Sequence, residues 1–150
     1  MWSFGCILAE LYSGYPIFPG ENEMDQLGLI MEICGAPPAH LLDNASRRKL
    51  FYDENYQPAL KPNSRGKLRR PLTKTLQSVL RCNDRNFLHF LGACFEWDPE
   101  DRMKADEALQ HDWILEGLPP KVLQQHQRML GLPGMNHHGS QRTLSKGART

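Results

Sequence analysis

The stretch WSFGCILAELY, at residues 2–12, decides the fold. Only Ser3 and Glu10 within it are clearly polar, so the pattern predicts a helix that is apolar on nearly every side. Such a helix requires burial all round, which places it inside a packed domain. Gly14 and Pro16 then indicate the helix end, because glycine suits the C-cap conformation and proline cannot continue the hydrogen-bond ladder.

Two amphipathic helices are predicted further along the chain. The first of them begins after the candidate N-cap Asn22 and ends at Gly35, and the next is capped by Asn83 or Asp84. The Asp98-Pro99 pair breaks this later helix. The apolar residues at helical spacing are Leu27, Ile30, Met31 and Cys34 in the earlier helix, and Phe87, Leu88, Leu91, Cys94 and Phe95 in the later one.

The segment from Ala36 to Cys82 lacks such a pattern and is rich in turn residues. Its acid-free basic run, from Ala59 to Leu80, is expected to face solvent. A further short helix is expected from Ala105 to about His111. Because no stretch shows convincing strand alternation, the predicted fold class is all-α over residues 1–116, followed by a basic, disordered tail over residues 117–150.

Composition argues against several classes of protein. A net charge of +1 with 40% hydrophobic residues is typical of a globular chain. The longest apolar stretch, at residues 6–11, is too short for a membrane span and lacks the basic region of a signal peptide, so we expect neither a membrane partner nor secretion. The four cysteines have no zinc-like spacing and are expected to be reduced thiols. The adjacent His137 and His138 are interpreted as part of a solvated tail rather than as metal ligands.

The 150 residues contain no glycine-rich phosphate loop, GxSxG elbow, HExxH helix or CxxC pair, so we expect no catalytic, cofactor-binding or metal-ligating residue among them. Two charged side chains still need partners. Arg102 should meet a carboxylate at the junction of two helices, with an exposed position in an acidic turn as the alternative. Glu10 lies on an apolar helix, where we favour structural pairing and keep contact with a substrate as the second interpretation.

The same residues resemble a eukaryotic protein kinase catalytic domain. The sequence WSFGCILAEL at residues 2–11 resembles its helix F, residues 15–20 resemble the link to helix G, and Asp98-Pro99 with Arg102 resembles the DPxxR junction after helix H. Residues 108–113 resemble the closing LxHPW motif. The segment Ala36 to Cys82 stands where the group of cyclin-dependent, mitogen-activated and dual-specificity tyrosine-regulated kinases carries an insert. Residues 14–16, 19–23 and 64–67 indicate the last of these families, in its second subclass.

This resemblance implies the lower part of a kinase C-lobe, helices F to I with a long irregular insert. It implies that Ile7 and Leu11 support residues beneath the adenine pocket, and that Arg102 is separated from the APE glutamate that its family counterpart pairs with. Phe4, Lys104 and Asp112 depart from the family pattern, which has Leu, a Thr or Ser cap and Pro there. The positions to which the resemblance assigns a structural role are Trp2, Gly5, Ile7, Leu11, Trp97, Asp98, Pro99, Arg102 and Trp113.

The family's glycine-rich loop, ATP-contacting lysine, catalytic aspartate, magnesium-binding DFG motif and activation-loop tyrosine all stand before the position that matches residue 1. The resemblance therefore implies that ATP and Mg²⁺ belong to a longer parent. That parent would transfer the γ-phosphoryl group of ATP to protein Ser or Thr and autophosphorylate a Tyr. This chain alone is predicted to be inactive.

Two other functions stay open. The chain can be a stand-alone helical module that binds protein substrates or regulators, although its first helix would then expose a large apolar patch. A nucleic-acid surface is disfavoured, because the basic stretches lack interleaved aromatic residues. The expected partners are protein substrates or regulators and the missing N-lobe and catalytic segment, in the cytoplasm or nucleus.

Overall fold

The computed structural model describes residues 1–130 and divides the chain into two units, Met1–Glu116 and Gly117–Thr150. The described residues form helices and no strand, which confirms the all-α prediction. None of these helices has both the length and the apolar character that crossing a membrane requires. The helices are α1 (Trp2–Ser13), α2 (Glu23–Cys34), α3 (Ala39–Asp43), α4 (Arg48–Phe51), α5 (Leu76–Leu80), α6 (Arg85–Cys94), α7 (Ala105–Ala108), α8 (Asp112–Gly117) and α9 (Pro120–Met129).

Helix α1 ends as its sequence predicts. Gly14 adopts the left-handed conformation with φ of 78°, and its N–H donates to Glu10 O. The side of α1 that carries Gly5 and Ala9 packs closely on α6: a Cβ built on Gly5 would lie 2.8 Å from Cys94 Cβ. The absence of a side chain at Gly5 is what allows this approach.

Helix α2 begins at the predicted cap, where Asn22 Oδ1 accepts from Asp25 N at 3.0 Å. Its buried side differs from the predicted stripe, because α2 lies between two apolar clusters rather than on one. Leu29 enters the cluster around Phe90, Leu91 and Cys94, which we call the main cluster. Met31 joins Leu42 and Tyr52 in a second cluster, so both sides of the helix are covered. The buried residues of α2 are Asp25, Gly28, Leu29, Met31 and Glu32.

The main cluster is built around α6, from which Phe90, Leu91 and Cys94 are fully buried. Asp84 caps this helix by accepting from Phe87 N at 3.0 Å, as predicted. The helix ends at Cys94, before the predicted break at Asp98-Pro99.

The second cluster joins α2 to the first part of the insert. It consists of Met31, Leu42 and Tyr52, and the Tyr52 hydroxyl donates to Met31 Sδ at 3.3 Å. The insert therefore has its own small core and is anchored on α2.

Short helices close the first unit. Helix α7 ends at Ala108, earlier than predicted, and α8 begins at Asp112. Lys104, which stands where the family has Thr or Ser, leaves α7 without a side-chain cap from that position. Glu107 compensates in part, because its Oε2 accepts from Lys104 N at 2.8 Å.

The prediction of a disordered tail from residue 117 was wrong for Pro120–Met129, which forms α9. Pro120 occupies a first-turn position where proline fits, and Arg128 in the last turn complements the helix dipole. The predicted disorder of the remaining tail, and His137 and His138 within it, lie outside the described residues.

Candidate functional site

One side of α1 presents apolar side chains to solvent. Leu11 is 77% exposed and Ile7 is 56% exposed. Phe4 lies one turn before Ile7 and is also exposed, as is Tyr12 beside Leu11. Residues three and four apart lie on the same face of a helix, so these side chains form one continuous surface. We call Phe4, Ile7, Leu11 and Tyr12 the apolar face of α1.

The opposite side of α1 fixes this face in place. Gly5 and Ala9 are buried against α6, and the Phe4 ring meets the fully buried Phe90 ring edge-on with centroids 6.3 Å apart. Tyr12 contacts Phe87 with ring centroids 5.1 Å apart. The face is therefore a preformed surface on a packed helix, and an exposed patch of this kind marks an interaction site.

Glu10 lies at the edge of this face and is exposed. No ion pair among residues 1–130 involves its carboxylate. Its backbone oxygen accepts from Gly14 N at 2.8 Å, which is a helix-end contact. The structural pairing that we favoured for Glu10 is thus not found in the described part of the chain.

An aromatic cluster surrounds Trp2 at the start of α1. Its ring lies 5.3 Å from Phe95, 5.7 Å from Trp97 and 6.2 Å from Phe18, centroid to centroid. Trp97 is fixed further by its Nε1–H, which donates to Gly35 O at 3.1 Å. These contacts connect α1, the end of α2 and the turn after α6.

Arg102 joins this cluster, and the prediction that it meets a carboxylate was wrong. Its Nε donates to Glu96 O at 2.8 Å and its Nη2 donates to Trp97 O at 2.9 Å. Its guanidinium also lies 5.3 Å from the Trp2 ring centroid, within the range of a cation–π contact. The backbone carbonyls are available because α6 ends at Cys94, before this turn.

Asp98 organises the same turn. Its Oδ1 accepts from Glu100 N at 2.9 Å and its Oδ2 lies 2.6 Å from His40 Nε2. The Glu100 hydrogen bond, followed by the contact with His40, lowers the pKa of Asp98. Pro99 is exposed in the turn. The Asp98-Pro99 junction is therefore connected to α3 of the insert.

Trp113 covers the far end of the main cluster. Its ring centroid lies 4.9 Å from both Phe87 and Phe90. The residue is half-buried, so one edge of the indole remains near the surface. Trp113 thus attaches the start of α8 to α6.

The basic run that was expected to face solvent contains an arginine whose side chain is only 12% exposed, so that prediction was wrong for Arg69. Its Nε donates to Asp25 Oδ1 at 2.5 Å and its Nη1 donates to Glu32 Oε2 at 3.0 Å. Lys74 Nζ donates to Glu32 Oε2 at 2.8 Å. We call Asp25, Glu32, Arg69 and Lys74 the charge cluster.

The charge cluster is buried on the carboxylate side: the side chains of Asp25 and Glu32 are 5% and 4% exposed. The Arg69 hydrogen bond is the main reason that the pKa of Asp25 lies below its ordinary value. The spacing of Asp25, Gly28 and Glu32 is the sequence signal that could have predicted the charge cluster. These residues share one face of α2, and the missing side chain at Gly28 leaves room between the two acidic residues for a long basic side chain.

The cysteines contribute to packing. Burial raises the pKa of Cys34 to about 12 and that of Cys94 to about 11, so both thiols are protonated and unreactive at neutral pH. Over residues 1–130 no group of three His, Cys, Asp or Glu side chains is arranged to hold a metal ion.

Comparison with known proteins agrees with this architecture. Residues 1–114 match the family model described as "Protein kinase domain". Over 114 residues the sequence is 52% identical to "Dual specificity tyrosine-phosphorylation-regulated kinase 2" of Drosophila melanogaster. It is 54% identical to "Dual specificity tyrosine-phosphorylation-regulated kinase 4" of Homo sapiens and 49% identical to "DYRK-family kinase pom1" of Schizosaccharomyces pombe, again over 114 residues. Each alignment covers 76% of this chain but only 16%, 22% and 10% of the respective relative.

Proposed function

The chain belongs to the protein kinase domain family, in its dual-specificity tyrosine-phosphorylation-regulated branch, and on this premise we propose that residues 1–116 form the helical base of a kinase catalytic domain. The parent protein transfers the γ-phosphoryl group of ATP to Ser or Thr of protein substrates and autophosphorylates a Tyr. It acts in the cytoplasm, the nucleus or both. The role of this part is to hold the catalytic segments in position.

The apolar face of α1 is the observation that carries this proposal. Ile7 and Leu11 stand more than half exposed on a helix whose other side is packed without space for a Cβ at Gly5. Burying a side chain such as Leu or Ile stabilises by roughly 1.5–3 kcal/mol. An occupant that covers this face therefore gains substantial binding energy, and the occupant proposed here is the catalytic segment of the same kinase.

ATP and Mg²⁺ do not fit the residues described here. No cluster of three potential ligands in residues 1–130 can hold a metal ion, and the apolar face of α1 carries Glu10 at its edge rather than a cation for phosphates. Phosphoryl transfer depends on positioning and on neutralising charge. The proposal therefore assigns nucleotide and metal binding to other segments of the parent kinase.

Immunoprecipitation from cells tests this function. An antibody raised against residues 120–150 should recover a protein several times heavier than 17.2 kDa that phosphorylates a peptide with Ser before Pro in the presence of MgATP. The free 120–150 peptide, added as competitor, should remove both the protein and the activity. Recovery of only a protein near 17.2 kDa without kinase activity would overturn the proposal.

A second candidate function is a stand-alone helical module that binds kinase substrates or regulators through the apolar face of α1. It is favoured by the main cluster, in which Phe90, Leu91 and Cys94 are fully buried without any additional chain. A cooperative thermal melt of the isolated 150-residue chain as a soluble monomer supports this alternative. Aggregation and strong binding of the dye ANS count against it.

A further inference from the structure

Two histidines meet where α6 approaches the start of α8. His89 lies on α6, and His111 immediately precedes α8. His89 Nδ1 lies 2.7 Å from His111 Nε2, so the two rings share one hydrogen bond. The His111 ring also meets the fully buried Phe90 ring at 89° with centroids 5.1 Å apart. The hydrogen bond between the histidines therefore links α6 to the residue that precedes α8, and the His111 ring is held against Phe90.

A third group determines where the protons are. Trp113 N–H donates to His111 Nδ1 at 3.1 Å, so this nitrogen must present a lone pair. In the neutral His111 ring the proton is then on Nε2 and is donated to His89 Nδ1. Neutral His89 consequently carries its own proton on Nε2. Both hydrogen bonds form together only in this arrangement.

An added proton breaks one of these two bonds. If His111 takes it, Nδ1 becomes a donor and loses the Trp113 N–H. If His89 takes it at Nδ1, two N–H groups face each other across 2.7 Å. Moving the shared proton to His89 still leaves neutral His111 with its hydrogen on Nδ1. No singly protonated form of the pair keeps both contacts.

We propose that His89, His111 and the Trp113 amide form a pH-sensitive contact that holds α8 on α6 when both rings are neutral and loosens it when the pair binds a proton. This pH-sensitive contact does not depend on the proposed kinase function. It lies outside the apolar face of α1 and outside the charge cluster. Loss of the contact should loosen the start of α8, because Trp113 carries both the amide in the contact and the indole that packs on Phe87 and Phe90.

The direction of the pH response follows from the surroundings. Burial, followed by the charge of His89, lowers the pKa of His111 below its ordinary value of 6.5, while Asp112 acts in the opposite sense. A group whose pKa is lowered on folding stabilises the folded contact above its unfolded pKa. The contact is therefore complete above about pH 6.5 and is lost as the pH falls through the lower pKa that His111 has in the folded chain.

Charged groups line the two cavities beside the pair, one bordered by both histidines and the other by His89 alone. Arg85 of α6 lines the same cavity as both histidines and disfavours an added positive charge. The carboxylates favour it. These carboxylates are Asp112 at the start of α8, Glu96 and Asp101 in the turn before α7, and Glu107 in α7.

Hydrogen exchange tests the proposal on the full 150-residue chain. Protection of the Trp113 amide, corrected for intrinsic exchange, should fall about tenfold between about pH 7.5 and about pH 4.5, as loss of one hydrogen bond implies. The Phe90 amide inside α6 serves as the internal reference. Unchanged protection of Trp113 over this range overturns the proposal.

Substitutions separate the titration of His111 from the hydrogen bond that it accepts from the Trp113 amide. His111→Asn keeps an oxygen that can accept from Trp113 N–H but cannot titrate, so the pH-dependent loss of protection should disappear. His40→Asn removes a histidine that contacts Asp98 instead, and the loss should persist. A loss that persists in His111→Asn contradicts the proposal.

A measurement on the unaltered chain covers the case in which His111→Asn fails to fold. The ¹⁵N chemical shifts of the His111 ring should show an unprotonated Nδ1 at about pH 7.5. A protonated Nδ1 at this pH overturns the proposal, because Trp113 N–H would then have no acceptor on the ring.

Discussion

The aliphatic stem of Arg69 lies directly over Gly28, so closely that a Cβ on the glycine would stand 3.2 Å from Arg69 Cδ. The guanidinium continues beyond this point to the two buried carboxylates of α2. Because Asp25 and Glu32 hold the charged end, the stem has little freedom to move aside. A basic residue in an irregular insert is thus built into the packing of the helix.

Gly28→Ala tests this packing. Alanine is favoured over glycine inside a helix by about 1 kcal/mol, but here the new methyl group displaces the Arg69 stem. We expect the gain to be cancelled or reversed. The matched control is Gly92→Ala in α6, where a Cβ meets no atom within 4 Å and should stabilise by up to about 1 kcal/mol. Urea unfolding of both variants measures the difference, and equal stabilisation would contradict the prediction.

Arg69→Leu should strongly destabilise the fold. Removing one partner of a buried ion pair leaves an uncompensated charge and costs about 3–5 kcal/mol. Lys74 still neutralises Glu32, so Asp25 accounts for most of the loss. Arg69→Lys should recover only part of it, because an ammonium group cannot reach both carboxylates as the guanidinium does. Arg65→Leu, at an exposed position of the same run, is the control. A change below about 1 kcal/mol in Arg69→Leu would count against the buried pairing.

Acid should weaken the fold through Asp25. Its pKa is lowered in the folded state, mainly by Arg69, from an ordinary value of 3.8. Its contribution is therefore complete above the unfolded pKa and is lost as the pH falls through the lower folded value. Asp25→Asn should flatten this part of the stability curve, measured by chemical unfolding between about pH 5 and about pH 2. Asp53→Asn, at an exposed site of the insert, should retain the acid-induced loss.

Gly5→Ala should destabilise the contact between α1 and α6. The new Cβ would stand 2.8 Å from Cys94 Cβ and 3.0 Å from Phe95 Cε1, which the packed cluster cannot accommodate without shifting. Overpacking of a core typically costs about 1–3 kcal/mol. Thermal unfolding relative to Gly92→Ala measures the effect, since both variants share the same gain in helix propensity. A melting temperature at or above that of the unaltered chain would refute the prediction.

Charging the apolar face of α1 should improve solution behaviour without weakening the fold. Ile7→Lys with Leu11→Lys places charges on two exposed positions, so the free energy of unfolding should stay within about 1 kcal/mol. ANS fluorescence and self-association should fall. Leu50→Lys removes a similarly exposed apolar side chain elsewhere and should change neither property strongly. Equal effects of the two sets of substitutions would argue against a distinct face.

Local rules predicted three helix caps correctly. Gly14, Asn22 and Asp84 take the cap positions that their residue types favour, because a cap depends on a few neighbouring residues. Helix α9 was missed because its polar, glutamine-rich composition was interpreted as disorder. Its few apolar residues nevertheless recur at helical spacing, and its residues favour helix formation.

Rules that depend on neighbouring residues did not predict the contacts between residues far apart in sequence. Asp25 and Arg69 are 44 residues apart in sequence, and nothing local to the basic run indicates which cation turns inward. Arg102 was expected to need a carboxylate, yet carbonyl oxygens satisfy it because α6 ends earlier than the sequence pattern indicates. On α1, Ile7 and Leu11 were identified from the resemblance, but only the structure separates the packed side of the helix from the exposed one.

The repeated attachment of the insert has a consequence for its conformational entropy. Arg47, Tyr52, Ser64 and Arg69 contact α2 or the turn before it, and His40 contacts Asp98 in the turn after α6. The cost of closing a loop grows only slowly with its length, but each attachment divides one long loop into shorter ones that close independently. The insert therefore behaves as a series of small loops. Changes in length between two attachments are tolerated far better than the loss of an attachment itself.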